Sequence, residues 1–188
     1  NSARGGEIVS LAHDYIRAMA YDPVEGIAIG DQVALGASNF AAPDTSWIGR
    51  IIDAFGNPLD DGALFQGASI AELRQNPPAA AQRKKMGGRL NTGLAVFNTM
   101  LPVARGQRLG IFAGSGVGKT TLLAQLARGL DADIVVIGLI GERGRELRDF
   151  IENALGVEGM KRAVVIVATS DQSPLIKRRA AWMAMATA

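Results

Sequence analysis

The chain has 188 residues, 48% of them apolar, enough for one globular domain or one domain plus part of another. It holds no cysteine and a single histidine, His13, which excludes disulfides, thiol catalysis and metal centres built on cysteine or clustered histidine. A net charge of +2 is too slight to imply a nucleic-acid partner, and no apolar run approaches the ~18 residues of a membrane span, so the composition reads as a cytoplasmic protein.

Short β-like runs at 7–11, 16–20 and 32–35 open the chain, separated by turn-prone groups such as Asp22-Pro23, Gly30-Asp31 and Gly36. Their spacing predicts part of a small β-barrel. Residues 47–62 read as a strand ending in an Asn57-Pro58 turn. Residues 63–92, with Pro77-Pro78 and the basic Arg83-Lys84-Lys85, read as an irregular connection. From Gly106 the pattern becomes alternating strand and helix: a strand at 108–113, a helix at 119–128 with Leu122, Leu123 and Leu126 on one face, and a strand at 134–140, apolar throughout as if buried on both sides. A helix at 145–155 places Leu147, Phe150, Ile151, Ala154 and Leu155 at spacings of three and four. A strand at 163–168 and a helix after Pro174 complete the pattern. Repeated βα units predict a parallel sheet, with ligands beyond the carboxyl ends of its strands. The chain starts at Asn1 and stops within an alanine-rich helical stretch, 180–188, that lacks a stop signal, so a fragment truncated at both ends is expected.

Two segments carry chemistry. In the first, an apolar run meets Ala113-Gly114-Ser115-Gly116-Val117-Gly118-Lys119-Thr120-Thr121 and opens into an apolar helix. Three glycines permit positive φ and close approach of backbone N–H groups to an anion, and the helix start adds its orphan N–H groups and dipole. Lys119 supplies a point charge to outer phosphates, and the Thr120 hydroxyl suits magnesium. Ala113 stands where the strict pattern has its first glycine. This is the signature of a nucleoside triphosphate site. It is silent on reaction type.

The second segment is Gly141-Glu142-Arg143-Gly144-Arg145-Glu146, directly after the apolar strand. If that strand neighbours the one at 108–113, both loops share a sheet edge, and Glu142 can orient a water in line with a γ-phosphate. Arg143 would anchor the loop or meet a neighbouring subunit. The bland reading is that Glu142 and Glu146 merely open a helix, where acidic side chains favour the dipole. Neither Asp53, ahead of the phosphate loop, nor Asp171, three residues past the strand at 163–168, fits the usual magnesium-holding aspartate. That residue is expected beyond Ala188. Arg83-Lys84-Lys85 and Lys177-Arg178-Arg179 read as solvated faces, Trp47 and Trp182 as packing residues, His13 as a surface or satisfied histidine, and Met183 and Met185 as core or interface filler.

Taken together, FAGSGVGKTTLL and GERGRELRDFIE resemble the catalytic subunits of the rotary F/V-type ATPase family, and within it the flagellar type III protein-export ATPases. GRIIDAFGNPLDD, the lead-in at 101–110 and VVIVATSD extend the resemblance over nearly the whole chain. The resemblance implies an α/β fold: a RecA-like P-loop parallel sheet, its N-terminal half only, preceded by part of a small β-barrel. Residues 1–42 would close the barrel domain, to about Ser38, and residues 43–188 would begin the nucleotide domain. Ala113, Gly114, Ser115, Gly116, Val117, Gly118, Lys119, Thr120 and Thr121 would bind ATP. Thr120 would hold Mg2+, with Lys119, Glu142 and Arg143 as the catalytic residues. The resemblance further implies a homo-oligomeric, hexameric ring that powers flagellar protein export. Its partners would be export-apparatus proteins and a regulatory or stator protein, at the membrane periphery. The magnesium aspartate, adenine contacts and arginine finger would lie outside this sequence, leaving the chain alone inactive. Relatives commonly carry arginine and aspartate where this chain has Ala95 and Asn98. Three readings stand beside this one: a virulence-type secretion ATPase, a RecA- or Rho-like nucleic-acid motor, and a non-catalytic ring subunit.

Overall fold

A computed structural model describes residues 4–36, 39–114 and 116–188; Ser38, the expected barrel limit, and Ser115 of the phosphate loop lie outside them. Strands β1 (Gly6–Leu11) and β2 (Ile16–Ala20) form an antiparallel hairpin where the first two β-like runs were expected. The run at 32–35 is not a strand. It is too short between Gly30 and Gly36 and meets no partner ladder, so Val33 and Leu35 stay exposed. Two-residue strands punctuate the next sixty residues: β3 (Phe40–Ala41) pairs with β5 (Ala71–Glu72), and β6 (Arg89–Leu90) with β7 (Val103–Ala104). The expected strand at 47–62 shrinks to β4 (Ile51–Ile52). Asp53 ends it by accepting from the N–H groups of Phe55 and Asn57 at 2.7 and 2.8 Å, an Asx-type turn.

The centre is a parallel sheet in the order β4-β9-β8, with β8 at Val135–Glu142 and β9 at Ala163–Thr169. Successive side chains of β9 point to opposite faces, and both faces are covered. Val164, Ile166 and Ala168 pack with Ile176, Ala180 and Met183 of helix α5 (Pro174–Thr187). Ala163, Val165 and Val167 pack with Ala124 and Ala127 and with Phe150 and Leu155. The molecule therefore has three layers here: α5, the sheet, and a layer of α2 (Lys119–Gly129) with the chain between β8 and β9. A short helix, α1 (Ala95–Thr99), precedes α2.

The helix expected at 145–155 is present in altered form. It runs as α3 (Gly144–Asp149), widens into π-type turns over Phe150–Leu155, and passes through Gly156, φ 67°, into α4 (Gly156–Met160). Phe150 and Leu155 are buried, with Leu147, Ile151 and Ala154 packed around them, as their spacing indicated. Ser173 caps α5 by accepting from the Ile176 N–H, and Pro174 occupies its first turn.

Three further expectations are corrected. The continuous apolar run leading to β8 is not buried on both sides: it is an edge strand, half-buried over most of its length, and the fully enclosed strand is β9. On α2 the buried positions are the small Ala124 and Ala127, whereas Leu123 is exposed, because the helix packs chiefly on the π-type turns around Phe150 and Leu155. Arg179 is not on a solvated face: it is 4% exposed, stacks 4.8 Å over Phe55 and donates to Asn39 Oδ1. Met183 is buried in the core and Met185 is exposed, both within the core-or-interface expectation. The neighbouring Arg178 pairs with Glu7 at 2.6 Å and lies 4.8 Å over the Trp182 ring, tethering the β1-β2 hairpin to α5.

Candidate functional site

Residues 108–114 form no strand, contrary to the sequence expectation. Phe112 is 96% exposed, its ring bent back beside Gly110, and no ladder bonds accompany the segment among the described residues. A strand needs a neighbour for its N–H and C=O groups, and among the described residues β8 pairs only with β9. The juxtaposition of 108–113 with β8, on which shared loop placement was to rest, is therefore absent.

The loop itself has the conformation its glycines imply. Gly116 (φ 75°) and Gly118 (φ 96°) are left-handed, and a Cβ at Gly114, Gly116 or Gly118 would meet nothing within 4 Å. The backbone there faces open space. Gly118 is the N-cap of α2 and, lacking a side chain, gives no capping bond. The first-turn N–H groups thus await an acceptor, the arrangement that binds anions. Ala113, Val117, Lys119, Thr120 and Thr121 are exposed around it.

The direction of α2 brings this loop toward the other chemical segment. Its carboxyl end is fixed by Arg162, the residue before β9, whose guanidinium donates to the carbonyls of Ala127, Arg128, Leu130 and Ala132 at 2.8–3.0 Å. Ala124 and Ala127 hold the helix on the sheet face. Its amino end is about 16 Å of helix away, and because α2 leads through a short link into the start of β8, such a helix runs back toward the edge where the strands finish. Glu142 is the last residue of β8 at that edge.

Gly141, φ 85°, breaks the register there, so that Ile140 faces Ala168 and Glu142 faces Thr169. The Glu142 carbonyl accepts from Ser170 N–H at 2.9 Å, fixing its backbone to the β9–α5 turn, while the half-buried side chain makes no hydrogen bond or ion pair among the described residues. In that turn the Thr169 hydroxyl holds the Asp171 carboxyl below its ordinary value. Arg143 lies 3.8 Å from Glu146, an exposed pair one helical turn apart, and α3 starts at the next residue. Lys119 and Thr120 make no hydrogen bond or ion pair with Glu142. Among the described residues no group of three His, Asp or Glu side chains is placed to hold a metal ion.

Sequence reasoning missed the brace at the far end of α2. Asn98 Oδ1 accepts from both the N–H and the hydroxyl of fully buried Thr92 at 3.0 Å, and Asn98 Nδ2 donates to Asn91 Oδ1 at 2.6 Å. Gly93 and Gly129 touch across this junction; a Cβ on Gly129 would sit 2.4 Å from the Thr92 carbonyl. The departure at Asn98 was visible in the sequence, but not what it contacts.

An α/β chain with a glycine-rich loop opening a helix beside a parallel sheet is a nucleotide-binding architecture. Residues 93–188 match the ATP synthase alpha/beta family, nucleotide-binding domain, and the chain belongs to that family. Over 96% of its length it is 47% identical to the flagellum-specific ATP synthase of Caulobacter vibrioides, covering 41% of that protein. For the flagellum-specific ATP synthase of Bacillus subtilis the identity is 45% over 97% of the chain, covering 42% of the relative. The assembled ATPase EscN in complex with its central stalk EscO, from the enteropathogenic E. coli type III secretion system, is similar with a TM-score of 0.89 and 32% identity, covering 98% of this chain and 46% of that one. The chain thus spans less than half the length of these relatives.

Proposed function

We propose that this chain carries the phosphate-binding and water-activating part of an ATPase that drives flagellar type III protein export. The observation that carries the reading is the open, uncapped start of α2 at Gly116-Val117-Gly118-Lys119, combined with a carboxylate, Glu142, at the edge toward which that helix points. In this reading the N–H groups of residues 116–121 and the Lys119 ammonium gather the β- and γ-phosphate oxygens of ATP. Glu142 orients the attacking water and takes up its proton, and Arg143 fixes the loop behind it. Mg2+ fits a site of this kind, since it takes one or two protein oxygens together with phosphate oxygens and water: Thr120 would supply the hydroxyl, and the ion would neutralise charge on the transferred phosphoryl group.

The similarity to flagellum-specific relatives supports export over other uses of the same fold. The relative named type 3 secretion system ATPase, from Pseudomonas syringae pv. syringae, is 39% identical and keeps the virulence-type reading as the second choice. EscN is described as assembled and bound to a central stalk. By analogy we infer a homo-oligomeric ring with a stalk-like or regulatory partner, cytoplasmic and docked at a membrane export gate. No helix among the described residues is long and apolar enough to cross a membrane. The domain division remains part of the proposal, with 1–42 closing a barrel and 43–188 opening the nucleotide domain.

The test is a pair of substitutions in the full-length protein. Glu142→Gln keeps nucleotide affinity while turnover falls about 10²-fold or more, the scale of a lost general base. Lys119→Ala weakens ATP binding itself, read by equilibrium titration. Unchanged turnover in the first variant rejects the role of Glu142, and unaltered affinity in the second rejects the phosphate loop.

A further inference from the structure

Arg162 is a junction between the two halves of the proposed site. Its side chain donates to four carbonyls at and just beyond the carboxyl end of α2, at 2.8, 2.9, 3.0 and 2.8 Å. Its own carbonyl accepts from Val135 N–H at 2.8 Å, the first residue of β8, and its peptide neighbour Ala163 begins β9. Gly49 N–H, on the approach to β4, bonds the Ala163 carbonyl at 2.7 Å. One residue therefore ties the helix that carries the phosphate loop to the strand that carries Glu142.

A planar guanidinium suits the place. Helix C-termini leave carbonyls without partners and bear partial negative charge, and a fork of donors can span several of them while its charge meets the dipole. A lysine presents one compact ammonium and cannot reach four separated oxygens. The opposite side of the same helix end is closed by backbone contact between Gly129 and Thr92-Gly93. The amino end, in contrast, has no side-chain cap. The helix is thus fixed from Ala124 to its carboxyl end and left without a cap at its amino end. Over its length of about 16 Å, a tilt of about 4° moves the phosphate loop by about 1 Å. Misplacement on that scale costs up to about 10²-fold in rate even when it arises far from the chemistry.

Resting on the nucleotide reading above, we propose that Arg162 is a positioning residue for hydrolysis: it sets the phosphate loop relative to Glu142 without touching nucleotide. Loss of the guanidinium leaves the loop able to gather phosphates, since its N–H groups move together, but misaligns the bound phosphate and the carboxylate. The expected signature is a split between binding and turnover.

The experiment uses the full-length protein with Arg162→Ala and the milder Arg162→Lys. Arg50→Ala is the stability control, because Arg50 clamps Asp60 and the Ala63 carbonyl and has no part in the site. Expected is a kcat lower by about 10- to 100-fold, with ATP affinity and KM within about threefold of wild type. Arg162→Lys resembles the alanine variant, and the Arg50 control keeps its kcat despite a comparable drop in Tm. If Arg162→Ala does not fold, the kcat–KM split in Arg162→Lys decides. A turnover within threefold of wild type in Arg162→Lys overturns the proposal, as does an equal loss of affinity and kcat, or an equal loss of kcat in the Arg50 control. An inactive wild type strikes the nucleotide reading underneath, whereas a normal wild type with a normal Arg162 variant strikes the positioning role alone.

Discussion

The two ends of α2 are built on opposite principles. At its carboxyl end nearly every exposed carbonyl has a donor: Arg162 serves four, and the Asn91–Asn98 turn packs against Gly129. At its amino end the cap is a glycine without a side chain, the loop glycines face open space, and the flanking side chains are exposed. Both ends start with the same deficit of partners that any helix terminus has. One end is completed by the protein, for rigidity; the other is left open, and it is the end proposed to receive an anion. The difference separates what holds the fold from what the fold presents, and glycine serves both: Gly129 for close approach, Gly118 for a left-handed turn.

Substitutions at the two ends should break stability and binding separately. Gly129→Ala has the largest expected effect on folding. Its Cβ would meet the Thr92 carbonyl oxygen at 2.4 Å, backbone against backbone, and overpacking of this kind costs about 1–3 kcal/mol, at the upper end where nothing flexible can yield. The urea midpoint of the chain should fall accordingly, while phosphate-loop affinity per folded molecule is kept.

Gly118→Ala is the mirror experiment. At φ 96° a Cβ is strained by about 1–2 kcal/mol, yet the space around it is empty. The loop should relax rather than the fold, giving a small change in midpoint and a loss of nucleotide affinity of about tenfold in the full-length protein. A large midpoint shift with intact affinity would contradict the division of labour. The smallest effect is expected from Asn98→Asp, which puts a second acceptor 2.6 Å from Asn91 Oδ1 in place of a donor. The cost is about 1 kcal/mol in stability. An unchanged or raised midpoint would show that the Asn91–Asn98 brace does not matter.

How much of this was legible from residues alone depends on where the determinants lie. The helix expected at 119–128, the strands expected at 134–140 and 163–168 and the face carrying Phe150 and Leu155 are dictated by local periodicity, and the structure has them within two residues, at 119–129, 135–142 and 163–169. The glycines of the loop announce their left-handed turns. What failed was everything set by neighbours. Residues 108–113 and 32–35 have strand-like composition but no ladder to join. The apolar run of β8 sits at an edge because topology, not hydropathy, ranks strands within a sheet. Arg179 looked like one of three surface cations, yet it is buried, with the ring of Phe55 under its guanidinium and Asn39 accepting from it. Arg162 gave no signal at all. It is a lone arginine in a short turn, and only the fold brings four carbonyls to it.

The free side of β8 has a practical consequence for work with this chain. Eight residues in extended form, apolar from Val135 to Ile140 apart from Gly138, offer a row of backbone donors and acceptors with, among the described residues, a strand partner on one side only. Such a border recruits further strands, including those of another copy. At high concentration the isolated polypeptide should therefore self-associate through sheet extension, and a lysine placed at Val136 or a shorter, charged border should keep it dispersed in purification.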